Sequence, residues 1–214
     1  LVGAGRTETM RAIFGADPID GGTITIKGKQ VHIKTPRQAI QHGIAFLTED
    51  RKGQGLVLAQ SIRTNLILAN MKGFSSGLFL NEKRIEDAGQ KNIASLRIKT
   101  PSIDEIVGQL SGGNQQKVVI GKWVNTDADI FIFDEPTRGI DVGAKVEVYN
   151  VMNSLVKQGK CVIMVSSEMP EILGMSDRVI VMRGGEVMAE VDRDSEHFNQ
   201  EDLMKAAWGG KLDD

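Results

Sequence analysis

Ile130-Phe131-Ile132-Phe133 runs directly into Asp134-Glu135-Pro136-Thr137, and the segment closes on Arg138-Gly139-Ile140-Asp141. Four consecutive apolar residues bounded by polar ones are the pattern of a parallel strand covered on both faces. Two adjacent carboxylates at the end of such a strand are costly to desolvate unless something uses them. The first can hold Mg²⁺ at a nucleotide, and the second can orient or deprotonate a water. The plainer alternative is a pair of exposed acids at a strand end.

Working outward, the same short apolar runs recur at Cys161–Val165 and Val179–Met182, with helical patterns over Gly143–Lys157 and Met169–Leu173 between them. Gly184-Gly185 reads as a hairpin turn, and Gln200–Ala207 as a closing helix. Upstream, Thr23–Ile26 and Val31–Ile33 flank Lys27-Gly28-Lys29-Gln30, a second hairpin. Pro36–His42 has Pro at its start and Gly43 after its end, the signature of a short helix, and Ile44–Leu47 reads as a strand. From about 60 to 107 the strand pattern disappears. Ser61–Met71 and Asn81–Leu96 read there as helices, with Glu82, Lys83, Arg84, Glu86, Asp87 and Lys91 as a solvated face. The fold class is therefore α/β, a single domain over 1–214 with a helical insertion and a small N-terminal antiparallel β region.

Composition narrows the function classes. At 214 residues, 41% hydrophobic and 25% charged, the chain excludes disorder, collagen and coiled coil as its main state. Lys plus Arg is 26 against 28 for Asp plus Glu, so there is no electrostatic case for nucleic acid. The lone Cys161 excludes a disulfide framework and a thiolate zinc site, and its apolar surroundings read as a buried small hydrophobe. No stretch approaches the ~18 apolar residues of a membrane span, and no signal peptide is visible, so the expected compartment is cytoplasmic. The chain begins at Leu1 rather than Met, which reads as a fragment whose first strands are missing.

Glycine is rich, 24 of 214 residues against a usual ~7%, and it clusters in two places that matter. Leu1-Val2-Gly3-Ala4-Gly5-Arg6-Thr7-Glu8 opens a helical pattern, and a glycine loop opening a helix cradles phosphate with free amides and the helix dipole. Gly5 and Thr7 match the last Gly and the Ser/Thr of the P-loop pattern, with Arg6 where Lys is expected. Leu110-Ser111-Gly112-Gly113-Asn114-Gln115-Gln116-Lys117 is the second cluster. Its Ser-Gly-Gly leaves amides and a hydroxyl for an anion, and an N-cap Ser with flexible glycines is the alternative.

Taken together, LSGGNQQK at 110–117, DEPTRGIDVGAK at 134–145 and SSEMPE at 166–171 resemble the second ATPase half of bacterial monosaccharide-import ATP-binding-cassette (ABC) proteins of the ribose, galactose, xylose and arabinose group. The resemblance covers essentially the whole chain. It implies a P-loop NTPase cassette with ATP and Mg²⁺ as cofactors. It also implies a homologous cassette as partner, two membrane permease subunits, an indirect link to a periplasmic sugar-binding protein, and a position on the cytoplasmic face of the inner membrane. By the resemblance, Gly3, Ala4, Gly5, Arg6, Thr7 and Glu8 form this half's phosphate loop. Leu110, Ser111, Gly112, Gly113, Asn114 and Gln115 form the signature that reaches the partner's ATP. Thr7, Asp134 and Glu49 serve the metal, Glu135 is the catalytic carboxylate, Asp141 lies in the D-loop, and Ser167 stands at the γ-phosphate switch.

Three positions depart from the family pattern. Arg6 replaces the phosphate-loop Lys, Glu49 the Q-loop Gln, and Ser167 the switch His. Loss of one positioning or acid–base group commonly costs ~10²–10⁴ in rate. The expectation is a division of labour: this half's own site is degenerate, while its intact signature completes the other half's site. Two rival readings are a non-hydrolysing regulatory nucleotide module and a soluble ABC ATPase of DNA repair or translation. His32 reads as a surface residue, Trp123 as a packing residue, and the nine Met as core filler.

Overall fold

The computed structural model describes residues 3–212, so the expectation for Leu1 and Val2 lies outside the described residues. The contacts group the chain into two compact units, one from the N-terminus to Thr35 together with Met164 onward, the other Pro36–Ile163.

In the first unit, helix α1 (Arg6–Ile13) follows the glycine loop. A small hairpin of β1 (Ile24–Ile26) and β2 (Lys29–Val31) comes next, antiparallel with Ile24 opposite Val31, and His32 beyond it is exposed as expected. After Met164 come α7 (Met169–Met175), β8 (Arg178–Arg183), β9 (Glu186–Asp192) and α8 (Gln200–Ala207). The β8–β9 hairpin turns at Gly184 and Gly185, both with positive φ of 56° and 86°. Val179, Val181 and Val191 on its inner face pack with Leu203, Ala206 and Ala207 of α8. Val179–Met182 was expected as a fully buried parallel strand. It is instead antiparallel to β9 and alternates, with Ile180 half exposed, because this two-stranded ribbon is covered on one face.

In the second unit, α2 (Pro36–Gln41) leads into β3 (Ile44–Leu47), which pairs in parallel with β6 (Ile130–Asp134), Ile44 opposite Ile130. The third strand of the sheet, β7 (Cys161–Val165), lies beyond β6, in the order β3-β6-β7. Helix α6 (Val142–Lys157) makes the crossover between β6 and β7. Cys161 is exposed rather than buried, because it is the first residue of an edge strand, at its solvent end.

Between β3 and β6 lie α3 (Ile62–Ile67), α4 (Glu82–Ser95) and α5 (Gly112–Val124). The expected helix through Met71 stops at Ile67, and a 3₁₀ turn follows at Met71–Phe74. The insertion is not wholly helical, since Ser75–Ser76 (β4) and Phe79–Leu80 (β5) form a two-residue-strand hairpin too short to show a period in sequence. Buried amides lock this region. Asn65 takes the amide of Val57 at 2.8 Å and donates to the Val57 carbonyl at 3.0 Å. Asn92 donates to the Asn125 side chain at 2.8 Å, and Asn125 donates to the Leu66 carbonyl at 3.2 Å. Gly121 in α5 admits Leu66, whose Cδ2 would lie 2.7 Å from an added Cβ.

Candidate functional site

The glycine loop is built by conformation. Gly3 and Gly5 have φ of 75° and 87°, a region closed to most side chains, and Gly5 is the N-cap of α1. No side chain caps that end, so the first-turn amides of Arg6, Thr7 and Glu8 stay outside the helix's own ladder. The loop rests on the β8–β9 turn. Gly185 donates to the Ala4 carbonyl at 3.0 Å, and a Cβ on Gly5 would lie 2.9 Å from Gly185 Cα. Around Gly3 there is open space. Ala4 is buried, Thr7 half-buried and Glu8 exposed.

Arg6 donates through Nη1 to the Ser166 carbonyl at 2.6 Å. Ser166 is buried, donates to Glu171 at 2.7 Å and accepts from the Glu168 amide at 3.0 Å. Ser167, next to it, is exposed. The cation of the glycine loop is thus linked to the residue before Ser167 through one backbone carbonyl, a connection that no spacing in the sequence signals.

The second unit carries the carboxylates. Asp134 ends β6 at 1% exposure. Glu135 follows in the left-handed region with φ 47°, which turns the chain sharply out of the strand. A non-glycine residue held there is strained by about 1–3 kcal/mol, and such strain collects at functional sites.

Ser111 is exposed and is the N-cap of α5, accepting from the Asn114 amide at 3.5 Å and from Asn114 Nδ2 at 3.0 Å. Gly112 and Gly113 open the helix, and Leu110 precedes it as the cap of a 3₁₀ turn at Val107–Gln109. Asn114 and Gln115 are buried and turned to the protein. Asn114 accepts from the Lys99 amide at 2.9 Å, and Gln115 donates to the Val107 carbonyl at 3.2 Å. Asp141 is the N-cap of α6 and accepts from the Ala144 amide at 3.0 Å. Gly113 sits against that helix, for a Cβ there would lie 2.8 Å from Ala144 Cβ.

Glu49 is exposed and pairs with the Arg138 guanidinium. Arg51 was not singled out from sequence, yet it donates to the Arg138 carbonyl at 3.1 Å and lies against Gly112. Below it, Lys122 of α5 is buried, donates to the Gly55 carbonyl at 2.6 Å and has its pKa lowered to about 8 by burial. Among the described residues, no three His, Cys, Asp or Glu gather closely enough to hold a metal by themselves. A buried carboxylate such as that of Asp134 instead suits a metal that brings phosphate oxygens as its other ligands.

The ABC transporter family profile matches residues 2–138. The chain is 52% identical over 210 residues to the ribose import ATP-binding protein RbsA of Oceanobacillus iheyensis, covering 98% of this chain and 42% of that protein. It is 51% identical to its namesake in Geobacillus kaustophilus over the same shares. The chain thus spans less than half the length of the curated relatives it matches. The fold matches a crystal structure of the ADP conformation of an ATP-binding cassette of an ABC transporter, with TM-score 0.76, 21% identity, 97% of this chain and 81% of that one.

Proposed function

Because the chain belongs to the ABC transporter family, we propose that it is one ATP-binding cassette of a longer protein that energises monosaccharide import. A homologous cassette is its partner, and two membrane permease subunits take up the motion. Transport needs no sugar contact with this chain. Among the described residues no helix is long and apolar enough to cross a membrane, which suits a cassette docked to permeases at the cytoplasmic face.

The observation that carries the reading is the signature turn with Ser111 exposed at its start. Ser111, Gly112 and Gly113 stand at the start of a 13-residue helix, with the remaining signature polar groups turned inward to hold it. Ser111 is exposed and Gly112 half-buried, and they are the part of the turn proposed to meet an ATP held by the partner's phosphate loop, with Gly113 packed beneath them. Asn114 and Gln115, which the resemblance places among the nucleotide contacts, act as supports of that turn, because both side chains are engaged with backbone groups.

The chain's own site is proposed to be degenerate. Gly3, Gly5 and the first-turn amides of α1 bind phosphate, while Thr7 and Asp134 are the metal ligands. Bound Mg²⁺ supplies charge neutralisation at the β- and γ-phosphates. Arg6 carries the charge of the expected Lys, but its planar fork is also committed to the Ser166 carbonyl. Ser167 provides a hydroxyl where an imidazole would align water and γ-phosphate. Glu135 retains the carboxylate that accepts the water's proton, so binding with slow turnover is the expected behaviour.

The test uses the full-length protein with its co-expressed permease subunits in vesicles. ATP turnover is followed with and without a binding protein loaded with ribose or galactose. Stimulation by the loaded binding protein is expected. Turnover that ignores every sugar-loaded binding protein, or co-purification with ribosomes or DNA in place of permeases, contradicts the reading.

A further inference from the structure

Arg51 starts a single π-helical turn, Arg51–Gly55, separated from the end of β3 by residues 48–50. The turn is fixed locally by Asp50, whose carboxylate accepts from the Gly53 amide at 2.9 Å. Its far end is tied to α5 by the bond from Lys122 to the Gly55 carbonyl. Its near end reaches the other end of the same helix. A Cβ on Gly112 would lie 2.8 Å from Arg51 Nη2 and 3.4 Å from the Gly139 carbonyl. The guanidinium therefore lies against Gly112, between the first turn of α5 and the loop after β6.

That loop is held to the same segment twice. Arg51 Nη1 donates to the Arg138 carbonyl at 3.1 Å, and the Arg138 guanidinium pairs back with the Glu49 carboxylate. Residues 49 and 51 thus grip residue 138 by side chain and by backbone, closing a ring of two contacts rather than one. A single exposed ion pair adds little by itself. Two contacts on one residue, anchored by neighbouring strands β3 and β6, restrict the register of the loop far more than either alone.

We infer that Arg51 is a positioning residue for the signature turn, and that the Glu49–Arg138 ion pair is the latch that keeps it in place. The segment after β3, the loop after β6 and the start of α5 then move as one body. Displacing residues 49–51 changes the placement of Ser111, Gly112 and Gly113. A metal role for Glu49 requires this latch to open. The inference deepens the proposed function and rests on its reading that the signature turn serves a second cassette.

The experiment uses the full-length protein and the variants Glu49→Arg, Arg138→Glu, Arg138→Gln, their charge-swapped double Glu49→Arg/Arg138→Glu, and Arg51→Ala. Amide hydrogen exchange is read without nucleotide over 111–115 and 137–141. Each single change is expected to raise exchange in both segments by about 10-fold, and the double swap to return it to within about 3-fold of the parent. Exchange that rises only beside the mutated residue, or a swap that restores nothing, overturns the latch. Arg138→Gln keeps the test open if a charge reversal fails to fold. For Arg51→Ala, kcat for ATP is expected to fall about 10- to 100-fold, while ATP affinity measured by equilibrium binding stays within about 2-fold. Loss of affinity in parallel with kcat signals general damage and overturns the positioning role. A parent protein that turns over no ATP refutes the functional reading alone, because the exchange measurement contains no nucleotide.

Discussion

Glu135 holds a backbone conformation that glycine would adopt without strain, and a carboxylate that glycine lacks. Those two facts separate stability from activity at one position. Glu135→Gly is expected to be more stable than Glu135→Ala by about 1 kcal/mol, although glycine is normally the more costly residue. Chemical denaturation of the two variants checks this, and equal stabilities would mean that the left-handed turn is not retained. The residue scale is also where the sequence was most and least informative. Asp134 and Glu135 were legible because carboxylates after four apolar residues are chemically out of place. Ser111 was legible as a helix N-cap, which it is, whereas Asp141 was legible only as a loop residue and proves to be an N-cap too. Arg51 was invisible, because an arginine in a polar stretch looks like any solvated charge until the fold brings residues 112 and 138 to it.

Helix α5 gathers these contacts, and its glycines and lysines make separate predictions. Gly113→Ala places a Cβ 2.8 Å from Ala144 Cβ, a contact with a packed neighbour that cannot swing away. It is expected to destabilise by about 1–3 kcal/mol despite alanine's better helix propensity. Gly112→Ala meets chiefly the mobile end of Arg51 and is expected to cost under about 1 kcal/mol. Thermal melts that rank the two in the opposite order contradict the packing of α5 on α6. Lys122 gives a pH dependence. Its folded pKa of about 8 lies below its ordinary 10.5, so between those values the unfolded chain holds a proton that the folded chain lacks. Unfolding then takes up a proton, and stability rises with pH across that window and is flat below it. Relative to Lys122→Met, the parent is expected to gain at most about 3 kcal/mol between pH 8 and 10.5. A constant difference between the two proteins would show that Lys122 is not desolvated in the fold. At this scale α4, α8 and the β8–β9 turn could be read from period and punctuation. The β4–β5 hairpin and the π-helical turn could not, since two-residue strands and a five-residue turn carry no period.

For the whole molecule, the α/β class and the cassette family were both legible, the first from alternating apolar runs and the second from three motifs in a fixed order. The family profile and the 52% identical relative agree with that reading. Less legible was the working state of the chain's own site, because it turns on single residues whose effects spacing does not rank. Arg6 could not be seen in sequence to share its guanidinium with the Ser166 carbonyl, and that bond is a physical reason to expect slow turnover beyond the absence of a switch His. The central claim is that this cassette lends its signature and hydrolyses little itself. Its most direct test is single-turnover ATP hydrolysis by the full-length protein with its permease subunits, comparing Ser111→Arg and Glu135→Gln with the parent. The account predicts that Ser111→Arg abolishes turnover while Glu135→Gln leaves the rate within about 3-fold, since a slow site contributes little to lose. Equal damage from the two changes would contradict it and make this cassette's own site a full catalytic partner.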